Sequence, residues 1–326
     1  MIKLSEILFY KWWYIRRPLK WLSPLISIFE KQKINKYGSQ PSEYSPVFII
    51  GVPRSGTTIL YQLVTQFLNV AYFNNFVNLS RENLYFGYWL SQKIFKGEFH
   101  NSYVSDYGNT KESGLTAPSE IGNFWYRWIS QNKIYINEND LTIDEKQEIY
   151  NNFTSIINKY NQPLVIKNLY LSQRLRLIYD IFPNAKFIYI KRDPLFTAQS
   201  LFLGRRKHNR DISEWWSIKP KNFQEIKNLS ALEQVVAQTY YLDKQIHEDL
   251  SLFPAENIMN IQYENIGDVN IILERIKQFL GIQTREKLRE SKPEISIQNT
   301  QKLQDQEFWK LEQIVANYNW DIYLKN

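Results

Sequence analysis

The chain has no cysteine, which excludes a disulfide framework, thiolate metal sites and a cysteine nucleophile. Histidine is almost as scarce: His100, His208 and His247 are too few for a histidine-built zinc centre, and no metal is expected. The sequence also lacks any run of about 18 apolar residues, so no membrane-spanning helix is expected. Nor does the start read as a signal peptide, because Lys11, Arg16 and Arg17 interrupt its apolar stretch and no small-residue cleavage site follows. Without cysteine the chain suits a reducing compartment, and the expected location is cytoplasmic, peripheral on the inner membrane face. What is present is globular in character: 326 residues, 44% apolar and 16% aromatic, enough for one large α/β domain with additions.

Charge is unevenly placed. The net charge of +7 is mostly contributed by residues 1–38, where eight basic side chains face only Glu6 and Glu30, giving +6. A nearly neutral body with one basic end does not present an extended phosphate-tracking face, so no nucleic-acid partner is expected. Within that end Leu4, Leu8, Trp12, Ile15, Leu19 and Leu22 recur at helical steps among basic residues and tryptophans, up to Pro18 and Pro24, which should break or kink the helix. Two roles are open to it. It can pack across the main domain, or lie on an anionic membrane surface with its indoles at headgroup level.

Residues 1–45 are therefore read as a basic amphipathic segment and linker, and 46–326 as the main domain. Pro46 introduces Val47-Phe48-Ile49-Ile50, a compact apolar run that reads as a buried strand. A glycine-bearing turn and a helical pattern over Ile59 to Leu68 follow. The alternation returns: strand over Leu164 to Ile166, helix over Leu171 to Phe182, strand over Ala185 to Ile190, helix over Pro194 to Leu203. A long helix over Leu229 to Leu250, a strand over Ile258 to Gln262 and a helix over Val269 to Leu280 stopped by Gly281 complete it. Such alternation predicts an α/β fold, a parallel sheet flanked by helices. Residues 71–163 lack clear strands and read as a largely helical insertion above the sheet's carboxyl edge, where such folds bind ligands.

The turn Gly51-Val52-Pro53-Arg54-Ser55-Gly56-Thr57-Thr58 joins a strand to a helix N-terminus, so its N–H groups and the helix dipole favour an anion. The nucleotide-kinase loop requires a lysine after its second glycine. Here Thr57 stands in that place, and the cation is Arg54. Ser55 and Thr57 could instead be plain helix caps, and Arg192 a surface charge before Pro194.

The turn resembles the 5′-phosphosulfate loop of sulfotransferases that use 3′-phosphoadenosine 5′-phosphosulfate, PAPS. Phe187-Ile188-Tyr189-Ile190-Lys191-Arg192-Asp193-Pro194, followed by Ser200, resembles that family's 3′-phosphate motif, in which the arginine and the serine eight positions later bind the 3′-phosphate. Leu164-Val165-Ile166-Lys167-Asn168 and Tyr263-Glu264-Asn265 are similar to two further family segments, and the likeness spans roughly 46 to 281, closest to the bacterial and tyrosylprotein-type branch. The resemblance implies a P-loop-like sulfotransferase fold and sulfuryl transfer by in-line displacement to a hydroxyl or amine, without a metal, leaving 3′,5′-ADP. It assigns Arg54, Ser55, Gly56, Thr57 and Thr58 to the 5′-phosphate and Arg192 and Ser200 to the 3′-phosphate. Lys302 stands in for a basic C-terminal motif that this sequence lacks. The acceptor is left among carbohydrate, lipid, peptide and small alcohol. An ATP-dependent kinase and a non-catalytic membrane-surface protein with a degenerate nucleotide site are the alternatives.

A proton acceptor must serve the attacking group. The stretch Ala71 to Phe76, where the tyrosylprotein branch carries a glutamate, has no acid here. Pro118-Ser119-Glu120 resembles the Pro-x-Glu element of bacterial members, which assigns Glu120 as base beside Arg54 as the second catalytic group. A first-turn helix role for Glu120 is the alternative, with Glu112, His100 and His208 in reserve. Two aromatic clusters, Phe124-Trp125-Tyr126 with Trp128 and Trp215-Trp216, read as core or as acceptor-cleft walls. Gly204 to Arg210 reads as a solvated basic loop able to close over a nucleotide.

Overall fold

A computed structural model of the protein describes residues 12–100, 102–105, 107–285 and 292–320. Its strands and its helices of seven or more residues are, in chain order, α1 (Trp12–Gly38), β1 (Val47–Ile50), α2 (Thr57–Phe67), β2 (Ala71–Tyr72), α3 (Leu84–Phe95), α4 (Ile143–Tyr160) and β3 (Leu164–Lys167), then α5 (Leu175–Ile181), β4 (Lys186–Lys191), α6 (Pro194–His208), α7 (Ala231–Leu250), β5 (Ile258–Gln262), α8 (Val269–Leu280) and α9 (Asp305–Ala316). All five strands run parallel in the order β2-β3-β1-β4-β5. Every strand therefore delivers its C-terminus to one edge. β1 lies at the centre, and the chain leaves it toward β2 on one side and later reaches β4 on the other, which opens a crevice at that edge.

The period-2 alternation of β1 divides the core. Phe48 and Ile50 face α3, α4, α5 and α7, while Val47 and Ile49 face α2 and α8. Both faces are covered, which is why β1 and β3 are apolar almost throughout. Residues 71–163 accordingly do more than roof the edge. They supply β2 and two helices that close one face of the sheet, and only short stretches of them reach the carboxyl edge.

Several boundaries follow from caps. α7 starts after Ser230, whose hydroxyl accepts from Glu233 N while the Glu233 carboxylate accepts from Ser230 N. α6 starts on Pro194 with Asp193 accepting from Leu195 and Phe196 N–H groups. The predicted helix over 171–182 divides into a 3₁₀ turn, Leu169–Gln173, and α5, with non-helical Arg174 between them.

Two expectations change. α1 continues through Pro18 and Pro24, so of the expected break or kink the break does not occur. Each proline removes one N–H donor, and contacts along α4 and α3 hold the helix in place: Glu30 accepts from Asn83 Nδ2 at 2.9 Å and Phe86 N at 3.1 Å, and Asn158 Nδ2 donates to Tyr37 O at 2.7 Å. The run Gly204 to His208 is no loop but the last turn of α6. Arg205 is buried there and donates to Gln234 Oε1 at 2.8 Å, so its charge is internal to the α6–α7 contact. Residues 1–11 of the basic segment lie outside the described residues.

Candidate active site

At the carboxyl edge, the Gly51–Thr58 turn wraps over the end of β1. Gly56 caps α2 at φ 98°, with no side chain capping the helix, so the first-turn N–H groups are turned toward the crevice. A Cβ on Gly56 would sit 2.5 Å from the Tyr263 ring, and one on Gly51 would sit 2.6 Å from Ile190 O. The glycines are thus needed for close approach as well as for backbone freedom. Arg54 is also left-handed, at φ 74°, an arrangement that costs an L-residue about 1–2 kcal/mol. Three contacts hold it there. Arg192 Nη1 donates to Arg54 O at 2.8 Å, Arg54 Nε donates to Ser200 Oγ at 3.1 Å, and the guanidinium lies 4.5 Å from the centre of the Tyr107 ring.

Arg192, at the end of β4, is itself fixed. Nε donates to Asn299 Oδ1 at 2.9 Å, Nη2 donates to Gln298 O at 2.8 Å, and the group stacks on Tyr263 at 4.6 Å. Burial pulls its pKa down, partly offset by Tyr263, Glu264 and Asp193. The segment 298–302 is drawn over the crevice by these bonds and by Gln199 Oε1, which accepts from Lys302 N at 2.7 Å. Lys302 Nζ then donates to Gln298 Oε1 at 3.0 Å.

The result is a cleft of about 330 Å³. Arg54, Lys167, Arg192 and Lys302 line it, and among the described residues no acid does. Gly56, Thr57, Thr58 and Ser200 line it too, so all the residues assigned to the two phosphates except Ser55 share one cavity. Ser55 is a correction. Its side chain is fully buried, Oγ has no partner, and its N–H donates to Val52 O at 3.2 Å, so it shapes the turn without facing the cleft.

Lys167 is the residue that sequence reasoning passed over. It is buried at the end of β3, donates to Thr58 Oγ1 at 3.0 Å and is ion-paired with Glu120. A lone lysine closing an otherwise apolar strand at the carboxyl edge was the available signal. Glu120 stands behind it, its side chain 29% exposed, with Oε2 accepting from Leu169 N at 3.3 Å. It does not cap the Gly122–Trp125 turn, whose start carries no side-chain cap.

The reserve bases are elsewhere. His100 is buried with Nε2 at 3.0 Å from Thr65 Oγ1 and Nδ1 at 3.3 Å from Ser102 O, and burial lowers its pKa to about 4. Glu112 is exposed on a 3₁₀ turn and does not line the cleft. His208 stacks on Trp216 at 5.4 Å, beside the rim. The aromatic clusters part company: Phe124 and Trp125 are core, whereas Trp216 lines the cleft with Tyr107.

A family model described as "Sulfotransferase family" matches residues 46–286. Among solved structures, sulfotransferase STF1 from Mycobacterium tuberculosis H37Rv is similar at 12% identity over 94% of this chain and 85% of that one, with a TM-score of 0.50. A sulfotransferase from Alicyclobacillus acidocaldarius is similar at 15% identity over 84% of this chain and 92% of its own, with a TM-score of 0.42. At such identity the first likeness concerns the fold. None of the curated proteins matches the sequence significantly.

Proposed function

We infer that this chain, which belongs to the sulfotransferase family, uses PAPS as the donor and transfers its sulfuryl group to a hydroxyl or amine of an acceptor. The observation that carries the reading is the cleft where four basic side chains and a helix N-terminus meet at the carboxyl edge, with Glu120 ion-paired to Lys167 at its back and no acid among the described lining residues. Two anion loci suit a donor with phosphates at both ends, and the glycine cradle suits the close approach of one of them. When bound, PAPS supplies a sulfuryl group already joined to a leaving phosphate.

Arg54 and the N–H groups at the start of α2 hold the 5′-phosphate, and Arg192, Ser200 and Lys302 hold the 3′-phosphate. Lys167, dry and fixed beside Thr58, faces the region where negative charge grows. With the donor bound, in-line attack by the acceptor oxygen or nitrogen on sulfur would leave the electron pair of the broken sulfur–oxygen bond on the phosphate; Arg54 would face that charge, and the Glu120 carboxylate would take the acceptor's proton. A second hollow of about 390 Å³ shares Ser217 with the cleft, and its polar lining includes Gln131, Asn132, Gln173 and Gln224 with Lys133 and Lys219. This wall of amides and two lysines supports entry of a polar acceptor from that side.

Titration calorimetry tests the donor. The protein should bind 3′,5′-ADP in preference to 5′-AMP and ATP and melt at higher temperature with it. Equal affinity for the three nucleotides would defeat the reading, and magnesium-dependent ATP binding would revive the kinase alternative.

A further inference from the structure

The inner face of α1 is committed to the domain, through Glu30 and through Phe29, which meets Phe86 and Trp89 at 6.2 and 5.6 Å. This docking turns the opposite face outward. Trp21, Leu22, Leu25 and Ile28 are 83, 49, 68 and 63% exposed, and these four are among eleven exposed large apolar residues described for the chain. Trp21, Leu25 and Ile28 stand at i, i+4 and i+7, so they form one stripe. Arg17, Lys20 and Lys31 are exposed around it. The helix has a single acid, Glu30, which is 7% exposed and turned inward. The outward face is therefore apolar and basic, with no carboxylate.

We propose that this face docks the protein on a bilayer of anionic phospholipids, with Trp21, Leu25 and Ile28 entering the headgroup–acyl boundary and the basic side chains meeting lipid phosphates. Charge complementarity selects the partner. A second copy docked through the same face would bring one basic, acid-free surface against another, which repels. An aromatic and aliphatic stripe edged by lysine and arginine matches the depth profile of a membrane interface, where apolar side chains sink and cations stay at the phosphates. The arrangement makes α1 a rigid mount, because its opposite face is already packed. The proposal is independent of the donor assigned to the cleft.

The test uses the full chain with phosphatidylcholine vesicles, with and without phosphatidylglycerol. The wild type should co-sediment with the anionic vesicles and remain in solution with the neutral ones. Trp21→Ser/Leu25→Ser/Ile28→Ser should lower partitioning at least tenfold, and Lys20→Gln/Lys31→Gln should lower it by roughly fivefold for each charge removed. Melting temperature and 3′,5′-ADP affinity should stay unchanged in both, since the altered side chains touch solvent. No sedimentation of the wild type, equal sedimentation with both vesicle types, or an apolar variant that binds as well as the wild type would each overturn the proposal. So would a wild-type dimer that the apolar variant dissociates, with no vesicle binding, since that would make the face a self-association surface.

Discussion

Replacing Glu120 by glutamine takes away the carboxylate that faces the buried ammonium of Lys167, while leaving the shape nearly the same. The two partners are unequally exposed, at 29% for the Glu120 side chain and 2% for Lys167. That asymmetry sets the expected costs. In Glu120→Gln the lysine charge stays buried with Thr58 Oγ1 as its recorded remaining partner, and the loss should be about 2–3 kcal/mol, below the full range for breaking a buried pair because one partner was open to water. In Lys167→Met the stranded carboxylate can hydrate and keeps the Leu169 N–H, so the loss should be about 1 kcal/mol. The double variant removes both charges and should recover most of the difference, a coupling of about 2 kcal/mol. Urea unfolding reads this directly: for a slope of ~3 kcal/mol/M, Glu120→Gln should lower the midpoint by about 0.7–1 M. Turnover should fall about a hundredfold in Glu120→Gln if that carboxylate takes the acceptor's proton, with 3′,5′-ADP affinity nearly unchanged. A Lys167→Met variant less stable than Glu120→Gln, or a coupling below about 0.5 kcal/mol, would refute the reasoning. Near-normal turnover would move the base to His208, the reserve beside the rim.

Arg54→Gly should leave stability equal or raised by about 1 kcal/mol, because it removes left-handed strain at φ 74°, yet weaken 3′,5′-ADP at least about tenfold; Arg54→Ala should lose the affinity without the gain, as calorimetry and thermal melts will read. Arg192→Ala should weaken 3′,5′-ADP by about 10- to 100-fold, erase its preference over 5′-AMP and also lower turnover, since Arg192 holds the Arg54 carbonyl; unchanged preference would remove it from the site. His100 is held neutral in the fold, with its pKa lowered to about 4 against 6.5, so the unfolded chain binds the proton first on acidification. Its contribution is complete above pH 6.5 and is lost as pH falls toward 4, about 3 kcal/mol in all, and His100→Gln should flatten the pH dependence of urea midpoints in that window.

The parallel α/β order was legible because its signals are local. Val47 to Ile50 is an unbroken apolar run, Ile258–Gln262 and Val269–Leu280 were expected at their observed limits, and Gly281 ends its helix at φ 68° by a rule of one residue's conformational freedom. The Gly51–Thr58 turn and the Arg192 to Ser200 interval were legible for the same reason, since each is a strand end joined directly to a helix start. Tertiary contact decided the rest. Arg205 reads as a loop cation in sequence and is buried against Gln234, and α1 runs on through two prolines to a C-terminal half held by α3 and α4. Ser55 turned inward and Lys167 turned into the cleft, outcomes set by which face of the edge each backbone presents. Sequence alone determined which cationic and hydroxyl residues stand at the strand ends and helix starts. Only the packed sheet could bring Arg54, Lys167 and Arg192, separated by up to 138 positions, to one cavity, because parallel strands carry their ends to a common edge whatever their distance along the chain, and hydrogen bonds to Arg192 and Gln199 then draw Lys302 over it.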